Sequence, residues 1–443
     1  MGSGKRSGSR ARTDSGRVGA RAGLRNRFIF ATPLQQTTIV AGCATLILWG
    51  CYCIRDGTSW FQQAPDEPPP RVELDRLIRV RFAGRSASGP IQLRVSSACR
   101  IFDTKSGRLL KDSPQPLAAS PLSTAGKSIK LGDEILTSKD VTIKPAHDAT
   151  IVVNSDTYRG ELRVHLDGRN IRLTNHVDLE SYLRGVLRGE LPGNFHAEAF
   201  KAQCVAARTY AMYQKLGTPP GRDWDVVDTE GSQMYIGVRG EETKSDAAVA
   251  ATAGEIAVYE RAGQDKIFCT YYSSTCGGVT QPISQFKPND PDVPPLAGNV
   301  VCTDCYLSRY YRWGPVKLTQ DEVTARIVAR YPSVKRLGKI VRLRPKEIGR
   351  DGRIVRVQLD GATGQNETLV GEDFRLCMGG HVVRSTNFTL ESGPTAYVFR
   401  DGKGFGHGCG LCQFGAETKA LRGMNYREIL TFYYPTSQIK KLY

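Results

Sequence analysis

The sequence predicts an α+β protein: a β-rich N-terminal part, then a mixed domain whose helical hairpin carries one carboxylate at its corner. Three observations point there. Short strand-like runs separated by Gly, Asn and Asp dominate residues 77–173. Two helical repeats of apolar residues follow within 179–214, joined through Pro192 and Gly193. The apolar (40%) and charged (24%) fractions are ordinary for a globular chain, and 443 residues suffice for more than one domain.

Taken in order, residues 1–36 hold eight Lys/Arg against Asp14, a net +7 that leaves +10 of the total +17 on the remainder. A basic body suits nucleic acid, an anionic membrane or an acidic polymer, and charge alone does not choose among them. Residues 37–54 (TTIVAGCATLILWGCYCI) are uncharged and about the minimum length for a membrane span. The arginine-rich tail before them sets the N-terminus in the cytoplasm and the body in the periplasm or outside the cell. This segment is expected to be a signal anchor; the alternative, a cleaved signal peptide, lacks an A-x-A-like site, and the lipobox-like Val40-Ala41-Gly42-Cys43 follows too polar a stretch. The tail is then a disordered, membrane-facing arm and not a nucleic-acid module. Residues 55–73, with Pro65, Pro68, Pro69 and Pro70, read as a semi-rigid linker. Residues 74–157 form the β-rich part, with strand-like runs at 77–82, 91–95 and 149–153, and a further run at 160–166 beyond it. The Ser/Ala/Pro-rich residues 114–128 are expected as a loop insertion. No fixed-period repeat, Walker loop or dinucleotide fingerprint is present.

The hinge itself is locally specified. Asp178 is placed to cap a helix whose apolar face is Leu179, Tyr182, Leu183, Val186 and Leu187. Gly189 is expected to supply a left-handed stop, so that the helix ends at Glu190. Asn194 is the expected cap of the second helix, which carries Phe200, Cys204, Ala207 and Ala211 on one side to about Gln214. A carboxylate at a helix C-terminus meets the negative end of the dipole, which raises its pKa and suits it to general acid work. An arbitrary glutamate beside a turn is simply solvated, so the assignment needs support from elsewhere in the chain.

That support comes from separated blocks in a fixed order: Tyr158-Arg159-Gly160, Asn175, Leu179-Glu180, Tyr182-Leu183, Gly189-Glu190-Leu191-Pro192 and Ala202-Gln203-Cys204-Val205-Ala206-Ala207-Arg208-Thr209-Tyr210. They continue with Gln233, Tyr235, Ala253-Gly254-Glu255, YYSSTCGG from Tyr271 to Gly278, Phe374-Arg375, Ser385-Thr386, GHGCGLCQFGA from Gly406 to Ala416, and Tyr433-Tyr434-Pro435. Over 158–443 the chain thus resembles the SpoIID/LytB family, the stage II sporulation protein D and amidase-enhancer proteins that act on bacterial peptidoglycan. The resemblance implies a lytic transglycosylase that cleaves the bond between N-acetylmuramic acid and N-acetylglucosamine and leaves 1,6-anhydro ends, with Glu190 as its acid. It equally admits a non-catalytic cell-wall binder that stimulates a separate amidase. Asp228 and Glu230 are the nearby candidates for a second carboxylate, although surface loops account for both. Within the matched blocks Gln203, Arg208, Gln233, Tyr235, Tyr271, Ser274, His407 and Gln413 are the candidates for binding glycan. For Arg208 a pairing with Glu180 is the competing role, and for His407 packing on Phe405 or Phe414.

Nine cysteines lie beyond the apolar run. Cys269, Cys276, Cys302 and Cys305 have the number and approximate spacing of a structural zinc site, while an extracytoplasmic body would favour disulfides. Some family members hold a metal near the S-x-C-G-G region with a histidine where Ser273 stands here. Cys409 and Cys412 add a second C-x-x-C pair, open to a short disulfide or to joining Cys302 and Cys305 as the ligand set. A cysteine nucleophile, Cys409 or Cys276 with His407, is the remaining enzymatic alternative.

Overall fold

The computed structural model describes residues 75–83 and 91–443. The expected tail, anchor and linker lie outside the described residues. Among the described residues no helix is long and apolar enough to cross a membrane.

Seven strands form one sheet in the order Val226–Val227, Leu77–Arg81, Asn170–Asp178, Glu161–Asp167, Asp140–Pro145, Cys99–Asp103, Leu109–Ser113. All neighbours are antiparallel except the first pair. A second sheet orders Asp156–Tyr158, Ile151–Val153, Ile91–Val95, Leu117–Ala125, Ser128–Leu131 and Glu134–Leu136. Alternation explains the pairing: Ile91, Leu93 and Val95 are buried while Gln92 and Arg94 are exposed, the signature of a strand with one face on a core. Residues 114–128 are a correction. They supply the nine-residue strand Leu117–Ala125, which pairs with Ile91–Val95 and Ser128–Leu131. Its Ser and Ala residues are mostly solvent-facing positions of a sheet, so composition alone mimics a loop.

Both sheets share a core with the helical hairpin. Helix α1 spans Leu179–Glu190 and α2 spans Ala197–Leu216, and the five apolar residues expected on the face of α1 are all buried. Asp178 caps α1, accepting from the N–H groups of Glu180 (3.0 Å) and Ser181 (3.4 Å). Two local expectations fail. The cap of α2 is His196, whose Nδ1 accepts from Glu198 N at 3.2 Å, and not Asn194. Gly189 is not left-handed; it is small because a Cβ there would stand 2.2 Å from the carbonyl oxygen of Met234. The C-terminal helix Tyr426–Tyr433 starts with a capping box from Asn425 and Glu428 and buries Ile429, Leu430 and Tyr433.

A second core, not anticipated from the sequence, gathers Trp313, Leu318, Val323, Ile327, Leu343, Val357, Phe374 and Phe399. Two three-stranded sheets and the helices Gln320–Arg330 and Gly371–Met378 enclose it. Its Arg353, fully buried, reaches out to donate to the carbonyls of Cys276 (2.7 Å) and Gly406 (3.3 Å). Gly408 lets it pass, since a Cβ there would lie 2.3 Å from Nη2.

Candidate active site

Glu190 ends α1 with its carboxyl enclosed by three neutral donors. Met234 N gives it a 2.7 Å hydrogen bond, and Tyr272 Oη and Gln413 Nε2 lie at 3.4 Å. Burial is the largest influence and pushes the pKa up, outweighing these donors; Glu230, exposed nearby, adds a small push in the same direction. Among the described residues no cation pairs with Glu190. A half-buried carboxyl with donors but no counter-ion keeps a proton available to give.

The donors are themselves held. Gln233 donates to Tyr272 Oη (2.8 Å) and to the Ala207 carbonyl (3.3 Å), and accepts from Tyr182 Oη (3.1 Å). Tyr272 pairs with Leu411 and Ser273 with Cys412 in one short parallel ladder, and Gln413 follows it directly as the first residue of the helix Gln413–Leu421. Ser274 lies alongside, its carbonyl accepting from Phe414 N at 3.1 Å. Of the candidate glycan contacts, Gln413 therefore meets Glu190 directly, Gln233 acts through Tyr272, and Ser274 borders the same ladder.

The other candidates are placed elsewhere. Arg208 is fully buried and grips both oxygens of Glu180 (2.8 and 2.7 Å) and the Glu255 carbonyl (3.1 Å). Gln203 is 1% exposed, with neither amide atom in a hydrogen bond among the described residues. Tyr235 is buried and donates to Asn175 Oδ1 (3.0 Å). Tyr271 points away from the ladder's Glu190 side and donates to Asp290 (2.6 Å). His407 stacks on Phe286 with ring centres 4.3 Å apart, accepts from Cys409 N (3.0 Å), and is pushed down to about 3 by burial, so it is neutral near pH 7. Asp228 is buried and accepts from Ala83 N (2.8 Å).

The thiol cluster corrects the expected ligand set. Cys276, Cys302, Cys305 and Cys412 are buried with all four Sγ atoms within 4.8 Å of one another. Cys269 lies outside it, accepting from Gln214 Nε2 on α2 at 3.6 Å. The parallel pairing of Ser273 with Cys412 explains the exchange, because it brings Cys412 against Cys276, whose N–H donates to its sulfur at 3.3 Å. Thiolates around a zinc ion at about 2.3 Å stand about 3.8 Å apart, so the donor set fits a tetrahedral metal. When bound, a metal would cross-link three separate segments of the chain, around Cys276, Cys302 and Cys305, and Cys412. Sequence reasoning passed over Tyr272 and the Met234 amide; strand alternation was the available signal for the first, since neighbours 271 and 272 must face opposite ways.

Comparisons with known proteins follow the same outline. The family model described as stage II sporulation protein matches residues 167–259, which include Glu190, and one described as a domain of unknown function (DUF8618) matches 302–410. An uncharacterized protein of Brachyspira hyodysenteriae is 31% identical over 283 residues, 64% of this chain and 72% of that protein. The amidase enhancer of Bacillus subtilis is 26% identical over 294 residues, 57% of this chain and 39% of that protein. Stage II sporulation protein D of Bacillus subtilis is 27% identical over 281 residues, 60% of this chain and 75% of that protein. With the glutamate hinge and the blocks around it in family order, the chain belongs to the SpoIID/LytB family.

Proposed function

We propose that the protein is a lytic transglycosylase of peptidoglycan glycan strands, with Glu190 as acid and then base. The observation that carries this is the enclosed Glu190 carboxyl, raised in pKa and met by neutral donors. Glu190 gives its proton to the glycosidic oxygen as the C1–O bond breaks. The resulting carboxylate takes the proton of the same muramoyl residue's 6-hydroxyl as O6 bonds to C1, closing the 1,6-anhydro ring. One carboxyl suffices for this sequence, whereas hydrolysis usually needs a second group to activate water. Tyr272 and Gln413 hold the carboxylate formed midway. Incubating the full chain with purified glycan strands should yield products one water lighter than hydrolytic ones, and Glu190→Ala should stop their release. Products with ordinary reducing ends would overturn the assignment.

The similarity to an amidase enhancer favours one second reading, a wall-binding activator. It is distinguished by an absence of turnover together with amidase stimulation that persists in Glu190→Ala. In either case we assign zinc to the four thiols in a structural role, and an extracytoplasmic position to the body, anchored through residues 37–54; protease accessibility on intact cells tests the latter.

A further inference from the structure

Beyond Glu190 runs a row of rings contributed by two parts of the chain. Phe195, in the turn after Glu190, meets Phe414 edge-on at 5.1 Å, and Phe414 directly follows the Gln413 that donates to Glu190. Tyr310 stands 6.2 Å from Phe414 and 4.9 Å from Phe405, and His381 stands 5.6 Å from Phe405. Phe414, Tyr310 and Phe405 are half-buried, and His381 is exposed. Rings fixed along one edge and open along another suit the apolar faces of sugar rings.

Charge follows the row. The guanidinium of Arg309 lies 4.7 Å and that of Arg384 5.8 Å from the centre of the Tyr310 ring, and Arg309 donates to the Tyr310 hydroxyl at 2.6 Å. Neither makes an ion pair among the described residues. Two guanidiniums positioned by a tyrosine and free of their own carboxylates are suited to bind carboxylates from outside.

We infer that this strip is an extended glycan subsite that grips a carboxylate-bearing amino-sugar strand and feeds it to Glu190. The inference rests on the glycan-cleaving function proposed above. It also gives a role to the segment 302–410, which a domain model of unknown function matches and which supplies every member of the row except Phe195 and Phe414. The carboxylates belong either to the lactyl groups of the sugars or to attached peptides.

The test uses the full chain carrying Glu190→Gln, so that strands bind without being cut. Its affinity is measured for peptide-bearing strands, peptide-stripped strands and a neutral chitin hexamer. Adding Tyr310→Ala should weaken binding of all three by about tenfold. Adding Arg309→Gln with Arg384→Gln should weaken the carboxylate-bearing strands by about tenfold and the neutral hexamer by less than about twofold. An arginine effect confined to peptide-bearing strands assigns the carboxylates to the peptides; an effect on stripped strands assigns them to the sugars. If Tyr310→Ala lowers the melting temperature sharply, the arginine pair, with Arg309 exposed and Arg384 half-buried, decides. Unchanged strand affinity in the arginine pair, with the parent binding well and native Glu190 protein cutting strands, overturns the strip alone. A parent that binds no glycan overturns the proposed function with it.

Discussion

Replacing Glu190 by Gln should separate activity from stability, in opposite directions. The native carboxyl is enclosed and its pKa is raised above the usual 4.5, with burial the largest cause. The folded protein therefore holds this proton to a higher pH than the unfolded chain does. The neutral group is fully accommodated below the unfolded value, and stability is lost as pH rises through the folded value, at about 1.4 kcal/mol for each unit separating the two. Gln cannot ionise, and its amide oxygen still accepts from Met234 N, which sits 2.7 Å from the carboxyl oxygen. Glu190→Gln should match the parent near pH 4 and exceed it increasingly above pH 4.5, levelling off beyond the folded pKa. Turnover should fall by about 10²–10⁴, or about 3–5 kcal/mol of barrier, the usual contribution of a general acid. Guanidinium denaturation at pH 4 and pH 8 reads the first effect, and mass analysis of released glycan reads the second. A variant equally destabilised at both pH values, or one keeping more than about a tenth of parental turnover, refutes the assignment of Glu190 as a proton donor of raised pKa.

Four further substitutions probe the supports. Gly189→Ala puts a Cβ 2.2 Å from the Met234 carbonyl, so it should displace the amide that holds Glu190. A loss of about 1–3 kcal/mol in denaturation and a marked drop in turnover are expected with Glu190 intact. Arg208→Ala breaks a two-pronged buried pair with Glu180 and should cost about 3–5 kcal/mol, read by denaturation, with the KM for glycan unchanged; full stability with a raised KM would return Arg208 to the substrate. Cys412→Ser should lose zinc by elemental analysis whereas Cys269→Ser should retain it, since only the former sulfur lies in the four-thiol cluster.

What was legible in the sequence was local. Asp178 and the apolar stripe of α1 follow from cap chemistry and a 3.6-residue period, and both are present as expected; the helix also ends at Glu190, although Gly189 is not the left-handed stop from which that end was expected. His196 displaced Asn194 as the cap of α2 because a ring nitrogen two residues later accepts the same kind of bond, a substitution that propensity does not anticipate. The second core around Trp313 and Phe399 joins residues far apart in sequence and was invisible to a window-by-window pass. The same holds for the ligand exchange of Cys412 for Cys269. Spacing counted thiols correctly, but which four meet depends on a strand pairing across more than a hundred residues.

That pairing also links the two halves of the site. Tyr272, a rung of the two-rung ladder, and Gln413, directly after it, are the side-chain donors to Glu190, and from the same ladder Cys412 reaches Cys276. A metal in the cluster would fix the ladder, and the ladder fixes both donors. Removing the metal should therefore loosen the two hydrogen bonds that favour the carboxylate, raising the pKa of Glu190 further and moving the alkaline limb of the pH–rate profile, where the acid loses its proton, upward. Chelation that lowers the melting temperature while leaving that limb in place would mean that the cluster braces the fold without reaching the acid.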